Sequence, residues 1–363
     1  MSTPALAAAH AFGSDASACL DTCLASLSLP RGANLGFVYF SDQHIGDAEQ
    51  ILASLRERTG IPEWVGSSAI GIIGEGAAMQ DGGGISVMAA RFAPGSFSVF
   101  SGRKPLPHGA DKAYFAVVHA DPGTPDMADL VADMAGKVAS GFVTGGLSSG
   151  RGGAVQIADD VLRGGMSGVA FSGSVAIVTR LTQGCAPLPR QHVITRAERN
   201  LVGYIDGRRA LDVFKEAAGA ELAQDLPRAA QTILVGLSIP GRDSEDYLVR
   251  NVVGIDPQTG LLALNEYVET GRPLRFVRRD AESARQDLQR VLSDLRASLT
   301  SAPKGGLYFS CVGRGRNLFG DDSVEPELIR RHLGNFPLTG FFCNGEISHD
   351  QLYSYTGVLT LFL

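Results

Sequence analysis

The same strand–helix–strand pattern occurs near both ends of the chain, and this repetition is the strongest constraint on the fold. Near the start an apolar strand, GFVYFSD, precedes a helix and then WVGSSAIGIIGE; near the end GLYFSCV, a helix and LTGFFCNGEIS follow in the same order. The second strand of each pattern carries two glycines with equal spacing, Gly66 and Gly71 in one and Gly340 and Gly345 in the other. Two strands joined by a helix in one sheet run parallel, so we expect a parallel strand pair at each end.

In this alignment Ser41 corresponds to Ser310, and we interpret the likeness as a weak internal repeat; a chance similarity between two such units is the alternative. Apolar periodicity predicts helices near 15–27, 47–58, 125–138, 208–218, 281–299 and 324–333. Asp47 followed by Gln50 resembles a capping box at the second helix. GISVMAARF and SFSVF read as an antiparallel pair around Pro94 and Gly95.

The pattern as a whole predicts an α+β protein of two α/β-type halves with mixed sheets, strand–helix–strand units and antiparallel strands. A composition break falls at QGCAPLPRQ, where two nearby prolines indicate a linker or domain seam. We therefore predict two domains, at 15–183 and 190–363. A length of 363 residues is sufficient for two hydrophobic cores.

Composition restricts the kinds of partner and the cellular location that we expect for this protein. A net charge of −6 argues against nucleic-acid or membrane-surface binding, and no apolar run approaches 18 residues. Five scattered cysteines do not form a disulfide framework, and the start of the chain lacks the pattern of a signal peptide. We therefore expect a cytoplasmic protein that binds neither nucleic acid nor membrane.

Two turns of the C-terminal half should meet at one edge of a sheet. If the strands near 306–310 and 338–343 run parallel, their carboxyl ends bring Cys311 to Arg316 and Cys343 to Glu346 together, where open sheets bind ligands. Glycines in CVGRGRN allow close approach of a ligand, and its arginines suit a carboxylate or phosphate. No Walker lysine follows, so a nucleotide site is disfavoured.

Several structural alternatives remain open for these residues. Arg314 and Arg316 can pair with local acids such as Asp321 and Asp322 instead of a ligand, and Glu346 can pair with one of these arginines. Cys311 can be a nucleophile only if its pKa is depressed and a histidine serves as base, an arrangement that the sequence does not indicate.

Two other motifs carry weak signals. Residues 146–150 match G-x-S-x-G by letter, but the following Arg-Gly-Gly does not open a helix as a nucleophile elbow requires. Cys19 and Cys23 lie one helical turn apart without further ligands nearby, so a small apolar helix face is favoured over a metal site. We therefore predict no catalytic and no metal-binding residue.

The residues now described carry a family resemblance over about 20–362. CVGRGRNLFG, PLTGFFCNGEIS and YTGVLTLF resemble the end of the FIST C-terminal domain, and QGCAPLPRQHVITRAERNLVGYIDGRRAL resembles its start. WVGSSAIGIIGEG, TGGLSS and SGVAFSG resemble elements of the FIST N-terminal domain. Many relatives have Gly-Cys-Ser or Gly-Cys-Thr where this chain has Gly66, Ser67 and Ser68, so a thiol role is not expected at this place.

The resemblance implies a non-catalytic sensory protein that binds a small ligand, such as an amino acid or another small carboxylate. No kinase, receptor or F-box segment fits in the spare residues, so we expect output to a partner in trans, such as a histidine kinase. The alternatives are a haem-binding nitric oxide sensor, although no cofactor is predicted, and a cysteine-dependent enzyme. The predicted ligand site comprises Cys311, Gly313, Arg314, Gly315, Arg316, Asn344, Gly345, Glu346, Gly66, Ser67, Ser68 and Gly71.

Overall fold

The structure, a computed structural model, describes residues 5–106, 113–239 and 247–363. The chain divides into two compact units: unit 1 combines Met1–Thr182 with Gln286–Leu363, and unit 2 is Gln183–Arg285. These units follow different boundaries from the predicted domains 15–183 and 190–363, each of which also contains residues outside the described ranges. The division into two sequence domains therefore stays a prediction, while the C-terminal segment packs with the N-terminal part of the chain.

The described residues contain eight α-helices. These helices are α1 (Ala16–Ser26), α2 (Ala48–Thr59), α3 (Met127–Gly136), α4 (Ala210–Ala218), α5 (Leu226–Thr232), α6 (Ala281–Ser298), α7 (Arg316–Phe319) and α8 (Val324–Leu333). The strands of the first half are β1 (Leu6–Phe12), β2 (Leu35–Ser41), β3 (Glu63–Ala69), β4 (Gly71–Gly74), β5 (Ala77–Gln80), β6 (Gly84–Ala90), β7 (Phe97–Phe100), β8 (Phe115–Ala120), β9 (Phe142–Leu147), β10 (Gln156–Ala158), β11 (Val161–Leu162), β12 (Met166–Phe171) and β13 (Ile177–Gln183).

The strands of the second half are β14 (Cys185–Glu198), β15 (Leu201–Ile205), β16 (Arg208–Arg209), β17 (Ile233–Ser238), β18 (Tyr247–Arg250), β19 (Val252–Asp256), β20 (Leu261–Leu264), β21 (Pro273–Arg279), β22 (Gly305–Cys311), β23 (Leu338–Cys343), β24 (Glu346–His349), β25 (Gln351–Tyr353) and β26 (Thr356–Phe362). Mixed sheets together with helices confirm the predicted α+β class. Within the described ranges, no helix is both long and apolar enough to span a membrane.

Unit 1 contains three six-stranded sheets with one common plan. Sheet 1 has the order β1-β6-β2-β3-β10-β11, sheet 2 has β7-β12-β8-β9-β24-β25, and sheet 3 has β13-β26-β22-β23-β4-β5. Each centres on one parallel pair, namely β2–β3, β8–β9 or β22–β23, whose two strands are joined through a helix. The internal repeat is therefore present three times, and both predicted parallel pairs are confirmed.

The three sheets exchange hairpins in a cycle. After β3 the chain leaves sheet 1 and adds the hairpin β4–β5 to sheet 3, next to β23. After β9 it adds β10–β11 to sheet 1, and after β23 it adds β24–β25 to sheet 2. Each sheet is thus completed by a neighbouring repeat, so that none of the three can form from a contiguous segment alone.

A glycine sits at the same position in the second strand of each parallel pair. A Cβ atom at Gly66 would lie 1.7 Å from the carbonyl oxygen of Val38, and at Gly145 or Gly340 it would lie 1.8 Å from the corresponding oxygen of the first strand. The pairs therefore require glycine to allow this close backbone approach. A second glycine follows five residues later in all three, at positions 71, 150 and 345.

The register of the sheets corrects the sequence alignment of the two ends. Val38 pairs with Gly66 and Tyr308 with Gly340, so these two first-strand residues are equivalent. Three residues further on, Ser41 therefore corresponds to Cys311 and not to Ser310. The sequence match had aligned identical letters, whereas the hydrogen-bonded ladder fixes the true equivalence.

Two local predictions are wrong. GISVMAARF forms β6 in sheet 1 and SFSVF forms β7 in sheet 2, because β6 already has β1 on one side and β2 on the other. Asp47 does not make a capping box: its side chain caps no backbone N–H. Residues 42–47 form a 3₁₀ turn that leads directly into α2, so Asp47 lacks the extended backbone of an N-cap.

Unit 2 is built on a separate sheet with the order β18-β17-β21-β14-β15-β20-β19, and β16 pairs with β15. Its core packs α4 and α5 against this sheet through buried residues that include Val213, Phe214, Ala229 and Phe276. QGCAPLPRQ does begin near the boundary between units, but most of it lies in β14 and is not a linker.

The glycine contact can be tested with Gly340→Ala. The added methyl group meets backbone atoms that cannot rotate away, so the strands must separate, and we expect the free energy of unfolding to fall by about 3 kcal/mol. Gly102→Ala is the matched control, because nothing lies within 4 Å of a Cβ there. Urea denaturation measures both; equal midpoints for the two variants would contradict the close contact.

Candidate functional site

The carboxyl ends of the three second strands converge in unit 1. Ser67 on β3 and Ser148, just after β9, share a hydrogen bond of 2.6 Å between their hydroxyl groups. The backbone N–H of Ile70 donates to the hydroxyl of Ser149 at 2.9 Å, and that hydroxyl donates to the carbonyl of Phe342. The contact between glycine-bearing turns therefore includes a further turn, the one after β9. From the sequence we considered a functional role for this turn only as a nucleophile elbow and rejected that interpretation.

Aromatic rings fill the space between the three first strands. Tyr39, His119 and Phe309 occupy equivalent positions, and their ring centroids lie 5.4, 6.2 and 6.4 Å apart pairwise. The Tyr39 hydroxyl and His119 Nε2 are 3.0 Å apart, whereas the buried Nδ1 of His119 has no hydrogen-bond partner. Burial lowers the pKa of His119 to about 3, so this ring is neutral and part of the core.

Arg314 and Glu325 form an ion pair that is shielded from water. Arg314 Nε donates to Glu325 Oε1 at 2.8 Å, and the two side chains are 0% and 1% exposed. The hydroxyls of Tyr308 and Ser310 donate to the two oxygens of Glu325, each at 2.7 Å. Burial acts to lower the pKa of Arg314, but the Glu325 carboxylate reverses this and the pKa is raised.

Arg316 is engaged with a different acid. Its Nε donates to Asp322 Oδ2 at 2.8 Å, and its backbone N–H donates to Asp322 Oδ1 at the same distance. The backbone N–H of Gln80 also donates to Asp322, at 2.7 Å. The alternative in which the arginines pair with local acids is thus realised for Arg316 through Asp322 and for Arg314 through Glu325.

Glu346 is a buried acid whose hydrogen bonding among the described residues is incomplete. Its side chain is 0% exposed, and its Oε2 accepts from the backbone N–H and the hydroxyl of Thr356 at 3.1 and 2.9 Å. Oε1 accepts no hydrogen bond of good geometry. Burial raises the pKa of Glu346 to about 8; Thr356, Arg314 and a weak interaction with the Cys311 thiol oppose this rise. The group is therefore a neutral acid at pH 7.

Two thiols flank this carboxyl group. Cys311 and Cys343 are direct partners in the β22–β23 ladder, and Cys343 Sγ occupies the space that a Cβ at Gly146 would fill. Burial, followed by Glu346, raises the pKa of both thiols. A protonated buried thiol is a poor nucleophile, so the geometry favours a wall of the site over catalysis.

The remaining predicted residues mainly shape the backbone. Gly315 has φ of +51° and Gly345 has φ of +130°, conformations that favour glycine. A Cβ at Gly313 would press on the Tyr355 ring at 2.9 Å, and a Cβ at Gly71 would meet the carbonyl oxygen of Met79 at 2.3 Å.

Two of the predicted polar residues form hydrogen bonds with neighbouring segments. The Ser68 hydroxyl accepts from the backbone N–H of Val155 at 3.0 Å. The backbone N–H of Asn344 donates to the carbonyl of Leu147 at 3.0 Å. The structure thus brings Cys311 and Arg314 close to Glu346, whereas Arg316 pairs with Asp322. Ser67 and Ser68 join strand ends of sheet 1 to the turn after β9.

Sequence reasoning did not include Tyr308, Ser310, Glu325 and Thr356 in the site. A signal for two of them was present, since Tyr308 and Ser310 alternate along β22 and therefore face the same side. Glu325 lies on α8 and reaches this face only through tertiary packing. Thr356 opens β26, ten residues after the Glu346 that it contacts.

Other candidate sites have structural roles. Cys19 and Cys23 are buried in the core that contains α1, and their thiols contact the carbonyls of Gly13 and Ile85. Among the described residues no cluster of acids, histidines and cysteines has metal-binding geometry. The haem alternative stays a prediction, and one of the seven histidines, His108, lies outside the described residues.

The buried ion pair predicts a strong contrast between two neighbouring glutamates of α8. Glu325→Ala leaves the Arg314 charge buried without its partner, and we expect a loss of about 3–5 kcal/mol in the free energy of unfolding. Glu327→Ala removes only the exposed pair with Arg331 and should cost less than about 1 kcal/mol. Chemical denaturation measures both losses, and comparable values would refute the proposed burial of the first pair.

Glu346 predicts a pH dependence of stability. An unfolded glutamate has a pKa near 4.5, whereas that of Glu346 in the fold is about 8. The folded state therefore holds the extra proton, and its stabilising contribution is complete below pH 4.5 and is lost as the pH rises through 8. Glu346→Gln mimics the neutral form, so it should gain stability relative to the wild type between pH 5 and 8. A pH-independent difference in the free energy of unfolding would be inconsistent with this assignment.

The sequence is similar to known domain families and to several known proteins. The chain matches the FIST N domain over residues 34–208 and the FIST C domain over residues 210–349. The uncharacterized protein Rv0628c of Mycobacterium tuberculosis (strain H37Rv) is 34% identical over 61% of each chain, and the uncharacterized protein Mb0898c of Mycobacterium bovis is 32% identical over 61% of this chain and 60% of its own.

Human F-box only protein 22 is 32% identical over 22% of this chain and 19% of its own length. The chain thus spans about three-fifths of the mycobacterial relatives and a smaller part of the F-box protein. The FIST C match begins in unit 2 and ends in unit 1, so the sequence domain and the compact unit are different divisions of this chain. Because the two matches together cover most of its residues, the chain belongs to the FIST family of sensory signal-transduction domains.

Proposed function

We propose that this protein is a non-catalytic sensor that binds an amino acid or a related small carboxylate at Glu346. The observation that carries the proposal is the Oε1 atom of Glu346, which is fully buried and, among the described residues, has no hydrogen-bond partner beyond the neighbouring Cys311 thiol. Leaving a buried polar atom unpaired costs about 1–3 kcal/mol, and a ligand that donates a hydrogen bond to it recovers this loss.

A ligand amine fits this carboxyl group. An ammonium ion beside Glu346 favours its ionised form, because an opposite charge lowers the pKa of a carboxyl group. Binding then displaces the proton that the ligand-free protein holds at pH 7. Arg314 acts electrostatically on the same carboxyl group and is the cation that we propose for the ligand carboxylate, in competition with Glu325.

The closed state of the site provides a route from binding to signalling. Glu346 is fully buried, and the turn after β22 packs beside Tyr355, with Gly313 close to the Tyr355 ring and Arg314 Nη1 3.3 Å from the Tyr355 carbonyl oxygen. A ligand reaches Glu346 only if this turn moves. Occupancy and turn position are then linked, and a ligand that binds the open turn more tightly shifts the population towards it.

One feature supports a binding role over catalysis: burial raises the pKa of the Cys311 and Cys343 thiols, so neither is a ready nucleophile. We propose that the protein acts in the cytoplasm and passes ligand occupancy to a partner signalling protein, such as a histidine kinase, in trans.

Thermal unfolding in the presence of each of the twenty amino acids tests the proposal. At a concentration a hundredfold above Kd, a ligand should raise the Tm of the wild type by about 3 °C. Glu346→Gln removes the charge that receives the amine and should abolish the shift, whereas Glu49→Gln, at an exposed site on α2, should preserve it. A wild type that no amino acid stabilises, or an unchanged shift in Glu346→Gln, would disprove the proposal.

A further inference from the structure

Unit 2 contains a pocket of its own, whose lining residues all belong to this unit. It has a volume of about 360 Å³, which is within the range of small-molecule sites. Strand β14 forms one wall and helix α4 the other, with a floor from β21. The lining residues are Leu188, Pro189, Arg190, His192, Val213, Glu216, Ala217 and Phe276.

A bulge in β14 forms part of the pocket wall. Pro187 pairs with Val277 of β21, but the next paired residue is Gln191, which lies opposite Arg275. Residues 188–190 of β14 therefore bulge out of the ladder, where Pro189 has no N–H to donate. All three bulged residues line the pocket, together with Phe276 of β21.

A histidine with a fixed orientation lines this space. His192 Nδ1 lies 2.7 Å from Asp206 Oδ2, and the ring is 6% exposed. The Asp206 carboxylate is ionised, since the hydrogen bond from the Val193 backbone, followed by His192, lowers its pKa. An ionised carboxylate accepts the Nδ1 proton, and in the neutral ring this leaves Nε2 as the hydrogen-bond acceptor.

The rim of the pocket carries one loosely held cation. Arg190 is 68% exposed, and its guanidinium group is 4.0 Å from Asp206. Glu216, by contrast, is bound by both terminal nitrogens of Arg208. A ligand carboxylate therefore meets Arg190 without having to displace a close ion pair.

We propose that this pocket of unit 2 binds a small aromatic carboxylic acid that bears a hydroxyl or N–H group. The aromatic body packs on Phe276, Val213 and Leu188, the donor group binds His192 Nε2, and the carboxylate binds Arg190. The site is independent of the proposed site at Glu346, so either can fail without the other.

Isothermal titration calorimetry with three probes tests this assignment. 4-Hydroxyphenylacetate carries all three features, phenylacetate lacks the hydroxyl group, and 4-ethylphenol lacks the carboxylate. The wild type should bind 4-hydroxyphenylacetate about threefold to tenfold more tightly than phenylacetate or 4-ethylphenol. Each of these two probes lacks one contact, either the hydrogen bond or the exposed charge contact, and one such contact contributes about this much to the affinity. No binding of 4-hydroxyphenylacetate at millimolar concentration would overturn the proposal.

Variants assign each contact to its residue. Arg190→Gln should weaken the binding of both acids by about threefold to tenfold and leave the binding of 4-ethylphenol unchanged. Arg196→Gln, on the same strand, should alter the affinity for none of the three probes. His192→Phe keeps the ring and should remove the preference for the hydroxylated acid. Because Arg190 lies at the surface, its variant folds even if the histidine variant does not. Undiminished acid binding by Arg190→Gln would overturn the assignment.

Discussion

Three parallel strand pairs in unit 1 bring a glycine of the second strand against a carbonyl oxygen of the first. At Gly66, Gly145 and Gly340 there is no room for even a methyl group. This close approach positions the ends of β3, β9 and β23 so that their turns meet and exchange hydrogen bonds through Ser148 and Ser149. The cyclic exchange of hairpins depends on the same meeting point, since each chain segment passes there from one sheet to the next.

The buried polar groups at this meeting point differ in how completely hydrogen bonds offset their loss of solvation. Both oxygens of Glu325 accept hydrogen bonds, from Arg314, Tyr308 and Ser310, and these short bonds offset the desolvation of the buried ion pair. At Glu346 the hydrogen bonds from Thr356 and the weaker influence of Arg314 and the Cys311 thiol do not offset burial, which raises the pKa of the carboxyl group to about 8. The equivalent position in sheet 1 is Gln156, whose oxygen accepts from Ser167 at 2.7 Å. The incomplete bonding of Glu346 is therefore a property of one repeat, not of the threefold plan.

Local signals predicted most elements where apolar periodicity was strong. Helices α1, α2, α6 and α8 lie within a few residues of their predicted bounds, since their buried residues recur at helical spacing. Strand β1 was missed because its alanine-rich sequence has low strand propensity. The partner of β6 was predicted wrongly, because a turn with Pro94 and Gly95 indicates only that the chain reverses, not which sheet it enters.

The candidate site was predicted in part. The sequence placed Cys311, Arg314 and Glu346 at one sheet edge, and topology alone was sufficient for that inference. It left open whether the arginines face a ligand or local acids, and the packing of α8 decided this in favour of Glu325. A helix that lies between two strands can present any of several acids to them, so sequence spacing could not select the partner.

The sequence by itself determined the α+β class, the parallel pairs at both ends, the glycines that those pairs require and membership of the FIST family. These follow from local propensity, from periodicity and from motifs that lie within short segments. Tertiary structure decided the third repeat, the exchange of hairpins, the return of residues 286–363 to unit 1 and the protonation of Glu346. Such features depend on contacts between residues far apart in the chain and on the loss of water around them, and neither is encoded in the spacing of neighbouring residues.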